Sequence, residues 1–259
     1  MDLFSFDPQI ILSFLFALMR ISLVLFLMPF FGGETMPATV KAALCMTLTL
    51  ALWPRLPMLG NEIPAHPFSL AIMMAGELLL GMILGLGIRF LFAAIQSGGQ
   101  LLGFQMGFTM VNAIDPETGS SEAVTSHFLY MVSLLTFLSF NGHLILIDGL
   151  MKTFALIPPG GILVSSRLAA QVFALSGQMF VFMIQIGAPV IAAIILVDLA
   201  LALVSKASPQ MNVLIIGFPI KVSVGFLFLG LIFEIISLHM QAFISNMPDF
   251  FSGLIGAMR

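Results

Sequence analysis

A run of thirty residues without a charged side chain, residues 168–197, constrains the fold of this chain more than any other feature. A helix of about 20 apolar residues crosses a bilayer, so the run is longer than one untilted span needs. Residues 123–147 form a second charge-free run, and the triplet Asn141-Gly142-His143 interrupts it towards its end. The sequence therefore predicts an all-α, membrane-associated chain of long kinked helices and helical hairpins.

The composition agrees with this class. Hydrophobic residues make up 60% of the 259 residues and charged residues only 8%, whereas an ordinary globular chain carries about 25% charged residues. Such a chain lies in a membrane or in an oligomer that buries nearly all of it. The net charge of −3 leaves no basic patch for nucleic acid, and a single cysteine, Cys45, rules out an internal disulfide.

Further helices are expected at residues 8–28, 38–53 and 68–95. The clearest break is Pro158-Pro159-Gly160-Gly161. After it the chain reads as a long helical hairpin that ends in a short, frayed tail, residues 247–259.

Five charged residues lie inside apolar segments: Arg20, Glu77, Arg89, Asp198 and Glu234. Facing lipid, they would together cost on the order of 15 kcal/mol, so they are expected to face protein or water as buried inter-subunit charges. A proton relay through Glu77 and Asp198 is one alternative. A structural ion pair of these carboxylates with Arg20, Arg89 or Lys221 is the favoured one.

The aromatic belts that usually mark the two membrane interfaces are almost missing. The chain has one Trp (Trp53) and one Tyr (Tyr130) beside 26 Phe. Lys and Arg are spread singly, so charge bias predicts no orientation. These features are typical of a subunit embedded in a larger hydrophobic assembly.

Residues 96–122 are the place where the chain stops resembling a membrane helix. Gly99, Gly103 and Gly107 recur every four residues, so in a helix they form one stripe without side chains. Another backbone can approach this stripe closely, and the glycines also make the segment's own backbone flexible. Large apolar residues follow in alternation: Phe104, Met106, Phe108 and Met110. They line one side of an extended chain or two faces of a helix. Soft Phe and Met rows can close an irregular gap, although a helix end packed against its neighbours explains them too.

Four polar residues and a proline cluster around the turn of the C-terminal hairpin. They are Lys206, Pro209, Gln210, Asn212 and Lys221. The cluster is interpreted as a contact for a partner, with a solvated turn as the alternative.

Catalytic signatures are absent from the sequence. It contains no nucleotide loop, zinc-ligand spacing or nucleophile elbow, and its four histidines lie far apart. No enzyme activity, cofactor or metal is expected.

Several motifs in order resemble the FliR/SctT family of type III secretion export-gate subunits over essentially the whole chain. They are Arg20 with Pro29-Phe30-Phe31-Gly32, Glu77 with Gly81 and Gly85, Gly103-Phe-Gln-Met-Gly-Phe with Asp115-Pro116 and Gly119, Asn141-Gly142-His143, Ser205-Lys-Ala-Ser-Pro-Gln-Met-Asn-Val, and Gly217-Phe-Pro-Ile-Lys221. The last two favour the flagellar branch, FliR, over the virulence branch, SctT.

The resemblance implies a non-enzymatic subunit of the flagellar export gate. It implies a helical pore with FliP-like and FliQ-like subunits, contacts with FlhB-like and FlhA-like components and the basal-body ring, and unfolded secreted substrates. It also implies a FliP-like part at about residues 1–160, including a plug loop at 104–122, and a FliQ-like hairpin at about 168–259. The implied location is the bacterial inner membrane, in contact with lipid but largely on the periplasmic side.

A small-solute or ion transporter is the alternative from another class, because broken helices and buried charges are expected there too. It predicts internal repeats, and none is evident. An intramembrane enzyme would need a paired catalytic constellation, which the sequence lacks.

Overall fold

The computed structural model describes residues 8–32, 36–56, 66–108, 124–162 and 165–258. These residues form helices and contain no strand, which confirms the all-α prediction. The helices are α1 (Pro8–Leu27), α2 (Pro29–Gly32), α3 (Ala38–Leu52), α4 (Pro67–Gln105), α5 (Val124–Ser139), α6 (Gly142–Leu156), α7 (Ser166–Ala207) and α8 (Val213–Met258). A 3₁₀ turn, Trp53–Arg55, extends α3.

Within these residues, four helices are long and apolar enough to cross a membrane: α1, α4, α7 and most of α8. The pair α5 and α6 passes the same test as one broken span, bent by 67°. The bend falls at Asn141, whose φ of 56° is left-handed, a conformation that Asn tolerates better than most residues. The interruption predicted at residues 141–143 is thus confirmed.

Two predicted boundaries were wrong. Helix α4 does not end at residue 95 but continues to Gln105, because its glycines there are packed closely against other helices. The predicted frayed tail is the helical end of α8, and it is held by contacts. Phe251 lies against Gly149, and the Ser165 hydroxyl donates a hydrogen bond to the carbonyl of Ala257 over 2.8 Å.

The chain divides into two compact units that are not contiguous in sequence. The first comprises Met1–Phe90, Asn141–Leu175 and Ile244–Arg259, and the second comprises Leu91–Phe140 and Ser176–Phe243. The predicted FliP-like and FliQ-like parts follow a different division, drawn from resemblance to other chains, and stay a prediction.

In the first unit, α1 packs closely on α4. A Cβ atom placed on Gly81 would lie 2.9 Å from Leu23 Cβ, and one placed on Gly85 would lie 2.6 Å from Leu27 Cβ. Neither position therefore has room for a side chain. This close approach fixes the level at which α1 presents Arg20 to α4.

In the second unit, aromatic side chains hold α4 against α5. Phe92 makes edge contacts with Phe137 at 5.6 Å and with Tyr130 at 6.0 Å between ring centroids. Further along, a Cβ on Gly99 would lie 2.6 Å from the Cα of Ser126. The hydroxyls of Thr125 and Ser126 donate to the carbonyls of Gly99 and Gln96, each over 2.8 Å.

Candidate functional site

The candidate plug segment, residues 104–122, begins at the C-terminal end of α4. The structure describes its first five residues, 104–108. Met110, Asp115, Pro116 and Gly119 lie outside the described residues. The geometry of the site therefore rests on the end of α4 and on the helix that receives it.

The end of α4 has the hydrogen bonds of a Schellman motif. The amide of Phe108 donates to the carbonyl of Gly103 over 3.0 Å. The amide of Gly107 donates to the carbonyl of Phe104 over 3.1 Å. Gly107 has a φ of +86°, which glycine adopts at no steric cost. The three glycines of the predicted stripe thus have distinct roles: Gly99 allows close packing, Gly103 accepts the cap bond and Gly107 turns the chain.

The large side chains of this segment are in different environments. Phe104 is 65% exposed, whereas Met106 is 1% exposed and packs on Gly225 of α8. Phe108 is half-buried and meets Phe226 edge-on at 6.5 Å between centroids. The predicted row of Phe and Met side chains is therefore divided within this chain: Phe104 is exposed, and Met106 is held in packing.

The second candidate feature is a buried charge cluster centred on Arg20. Its Nε and Nη2 donate to the two carboxylate oxygens of Glu77 over 2.5 and 2.7 Å, and both residues are almost fully buried. Nη2 also donates to the carbonyl of Ile157 over 3.1 Å, and Nη1 donates to the Thr153 hydroxyl over 3.3 Å. The guanidinium carbon lies 4.1 Å from the centroid of the Phe154 ring.

This cluster has a sequence-level cause at the end of α6. Pro158 and Pro159 have no N–H, so they cannot continue the helical hydrogen bonds. The carbonyl of Ile157 accepts from Arg20 instead, and the cation lies at the negative end of the helix dipole. Arg20 therefore joins α1, α4 and α6 through one desolvated charge.

The predicted set of buried inter-subunit charges needs correction. Arg20 and Glu77 pair within the chain, so neither requires a charge from another subunit. Asp198 is exposed and pairs with Lys221 across the hairpin at 2.6 Å. The favoured alternative, a structural ion pair for Glu77 and another for Asp198, is what the structure shows.

Arg89 and Glu234 differ from the other three charges. Both are exposed on apolar helices, and neither pairs with another described residue. Their side chains are not buried within the single chain. An inter-subunit role for them stays a prediction.

At the tip of the hairpin, Lys206, Pro209, Gln210 and Asn212 are exposed. The carbonyl of Asn212 accepts a hydrogen bond from Ile215 at the start of α8. Lys221 lies two turns further along and is tied to Asp198, with 26% of its side chain exposed. The two lysines of the predicted contact are thus in different environments.

Sequence reasoning missed two parts of the site. Thr153 and Ile157 complete the Arg20 cluster, and Gly225 receives Met106. The double proline after Ile157 was a usable signal, because it leaves helix carbonyls in need of another donor. For Gly225 the only signal was a glycine in an apolar helix, which does not identify its neighbour.

The fold and these features define an all-α membrane protein whose buried charges are structural. In the described part of the chain no group of three or more His, Cys, Asp or Glu side chains is placed to hold a metal. Residues 11–247 match the family of bacterial export proteins, family 1. The chain belongs to this family, and it is a protein of an export apparatus, not an enzyme.

Known relatives are similar over most of their length. Flagellar biosynthetic protein FliR of Bacillus subtilis (strain 168) is 34% identical over 224 residues, 84% of each chain. FliR of Escherichia coli (strain K12) is 29% identical, covering 93% of this chain and 92% of the relative. FliR of Aquifex aeolicus (strain VF5) is 29% identical, covering 95% and 93%. The resemblance to FliR drawn from the sequence motifs is confirmed.

Proposed function

We propose that this chain is a core subunit of a flagellar type III secretion export gate. It builds a pore with FliP-like and FliQ-like subunits, and unfolded flagellar substrates pass through that pore. FlhB-like and FlhA-like components contact the assembly inside the basal-body ring. The observation that carries the proposal is the family match over residues 11–247, with relatives that are named flagellar biosynthetic proteins.

The surface of the two longest helices supports an assembled state. At about 1.5 Å per residue, α7 and α8 are roughly 63 and 69 Å long, about twice the hydrocarbon thickness of a bilayer. Only 28% and 22% of their most apolar stretches are buried within the chain, compared with 56% for α4. Lipid can cover about half of such a length, so the rest calls for protein partners. We assign these partners to the periplasmic side of the inner membrane, as the resemblance implies.

The plug role rests on the end of α4. The Schellman motif ends this helix at a defined residue and directs the chain away from the helix axis. Phe104 remains 65% exposed at that point, although most large apolar residues of the segment before it are buried. We assign closure of the pore to residues 104–122, with Phe104, Phe108 and Met110 as its apolar groups.

The structure weakens the argument for a small-solute or ion transporter. Its main argument was the set of ionisable residues inside apolar helices, and Glu77 is neutralised by a two-point contact with Arg20. A proton relay would need Glu77 to exchange a proton with a neighbouring acceptor, whereas both of its carboxylate oxygens are bound by Arg20. The virulence branch is disfavoured because the three relatives named above all have the flagellar name.

Affinity purification tests the proposal. A tagged chain, co-expressed with the FliP-like and FliQ-like subunits of its host, is expected to purify with both in fixed ratio. Expressed alone, it is expected to aggregate or be degraded, because α7 and α8 expose apolar surface. A stable, monodisperse homo-oligomer that conducts a small solute would contradict the export role and favour the transporter.

A further inference from the structure

Met106 and Gly225 form the tightest contact at the end of α4. A Cβ placed on Gly225 would lie 2.4 Å from Cε, 2.6 Å from Sδ and 2.8 Å from Cγ of Met106. These distances are shorter than any normal van der Waals contact, so the methionine occupies the space that a side chain at position 225 would take. Met106 is 1% exposed. The missing side chain of Gly225 therefore creates the socket for Met106.

Two neighbouring contacts place the same turn on α8. A Cβ on Gly107 would lie 3.2 Å from the ring of Phe218, and Phe108 meets Phe226 edge-on. Phe218 and Gly225 are seven residues apart and lie on one face of α8. Three consecutive residues, 106–108, are thus seated along two turns of one helix.

The socket is specific to Gly225 among the glycines of this part of α8. A Cβ placed on Gly230, five residues further on, would meet nothing within 4 Å. A side chain is therefore tolerated at 230 and excluded at 225 while Met106 keeps its place. The difference gives a matched pair of positions on one helix.

We propose that Gly225 is a positioning residue for the plug: by receiving Met106, it fixes the end of α4 on α8 and so sets where Phe104 and Phe108 stand. The inference rests on the proposed closing function of residues 104–122. Met106, which the sequence grouped with the closing residues, is the anchor of that group.

The test compares Gly225→Val with Gly230→Val in the assembled export gate. A valine at 225 displaces Met106 and the end of α4, so complexes are expected to conduct ions while their abundance stays near wild type. Gly230→Val is expected to match wild type in both readings. The pair Met106→Ala/Gly225→Val frees the space again, and it is expected to restore a non-conducting gate. If Gly225→Val reduces assembly, the smaller change Gly225→Ala is measured with and without Met106→Ala.

A cross-link examines the contact separately from its role. In a Cys45→Ala background, Met106→Cys and Gly225→Cys are expected to form a disulfide on mild oxidation. A Cβ at position 225 would lie 2.8 Å from Met106 Cγ, an atom one bond from Met106 Cβ, and a disulfide joins Cβ atoms about 3.5–4.5 Å apart. Failure to cross-link overturns the contact. If the cross-link forms but Gly225→Val and Gly230→Val behave alike, or Met106→Ala gives no rescue, the contact is packing and the positioning role is wrong.

The two proposals fail in distinguishable ways. If Phe108→Ala/Met110→Ala causes conductance and Gly225→Val does not, closure by the plug stands and only the role of Gly225 falls. If neither variant conducts although the disulfide forms, the closing function itself is wrong.

Discussion

The guanidinium of Arg20 and the carboxylate of Glu77, on helices α1 and α4, make a two-point contact of 2.5 and 2.7 Å that is almost completely shielded from solvent. The remaining donors of Arg20 reach Thr153 and Ile157 at the end of α6. A charge pair of this kind is costly to desolvate, and removal of one partner leaves an uncompensated charge. The pair and its neighbouring hydrogen bonds therefore stabilise one arrangement of α1, α4 and α6 in the first unit.

Removal of one member of this pair is expected to be more damaging than removal of both. Arg20→Met and Glu77→Gln should each destabilise the chain by about 3–5 kcal/mol, whereas Arg20→Met/Glu77→Leu should recover much of that loss. Arg55→Met, which removes an exposed arginine just after α3, is the control and should have little effect. Abundance of the full-length chain in co-expressed complexes gives the comparison. A double variant no better than either single variant would show that the cluster acts through packing and not through charge.

Charge reversal at the hairpin is expected to discriminate between its two lysines. Lys221→Glu replaces the ammonium group that lies 2.6 Å from the Asp198 carboxylate by a like charge, so it should weaken the hairpin and its association with the FlhB-like partner. Lys206→Glu, at an exposed position, should be milder. Asp198→Lys/Lys221→Glu should restore association, because the pair is re-formed with its signs exchanged. Co-purified FlhB-like protein is measured; equal yields for all three variants would mean that the turn is a connector only.

The C-terminal end of α8 is expected to contribute to the stability of the folded chain. Phe251 is 4% exposed and packs on Gly149, so Phe251→Ala should cost about 3–5 kcal/mol, as for other core aromatics. Phe173→Ala removes an equal ring that is 75% exposed, and it should change stability little. Resistance to protease in detergent compares the two. Equal protease resistance of the two variants would mean that residues 247–259 form a frayed tail.

Cys45 is expected to be a poorly reactive thiol. It is 6% exposed on α3, and burial raises the pKa of its thiol above the ordinary value. The thiolate fraction at neutral and mildly alkaline pH is then lower than for a free cysteine, and maleimide labelling should be slow until the chain is unfolded. Native and denatured protein are labelled in parallel at pH 7 and pH 8. Rapid labelling of the native protein would show that α3 is not packed as described.

The sequence predicted the helical class, the break at residues 141–143 and the need of Arg20 for a partner, because each depends on local chemistry. Hydropathy defines spans, Asn-Gly favours a turn, and an arginine in an apolar helix cannot remain unpaired. Which carboxylate pairs with Arg20 depends on the tertiary structure. The sequence placed Glu77 among several candidates, and only the packing of α1 on Gly81 and Gly85 brings the two together.

The errors have a shared physical origin. The sequence predicts an end of α4 at residue 95, before Gly98, Gly99 and Gly103. Glycine weakens an isolated helix by up to about 1 kcal/mol relative to alanine. Close packing at Gly99 offsets that penalty. The same applies to residues 247–259, whose terminal position predicts fraying but whose Phe251 and Ala257 are held by contacts within the first unit. Local propensity was overridden by tertiary contact in both places.

Membrane conductance and complex abundance, measured in the same strain for Phe108→Ala/Met110→Ala, test most directly whether residues 104–122 close an export pore. A hydrophobic constriction excludes ions by excluding water, and it loses this capacity when it is widened. The account predicts gates in normal amount that conduct ions, beside a Phe173→Ala control that does not conduct. Loss of the complex without conductance would show that these side chains belong to the packed core, and it would contradict the closing role.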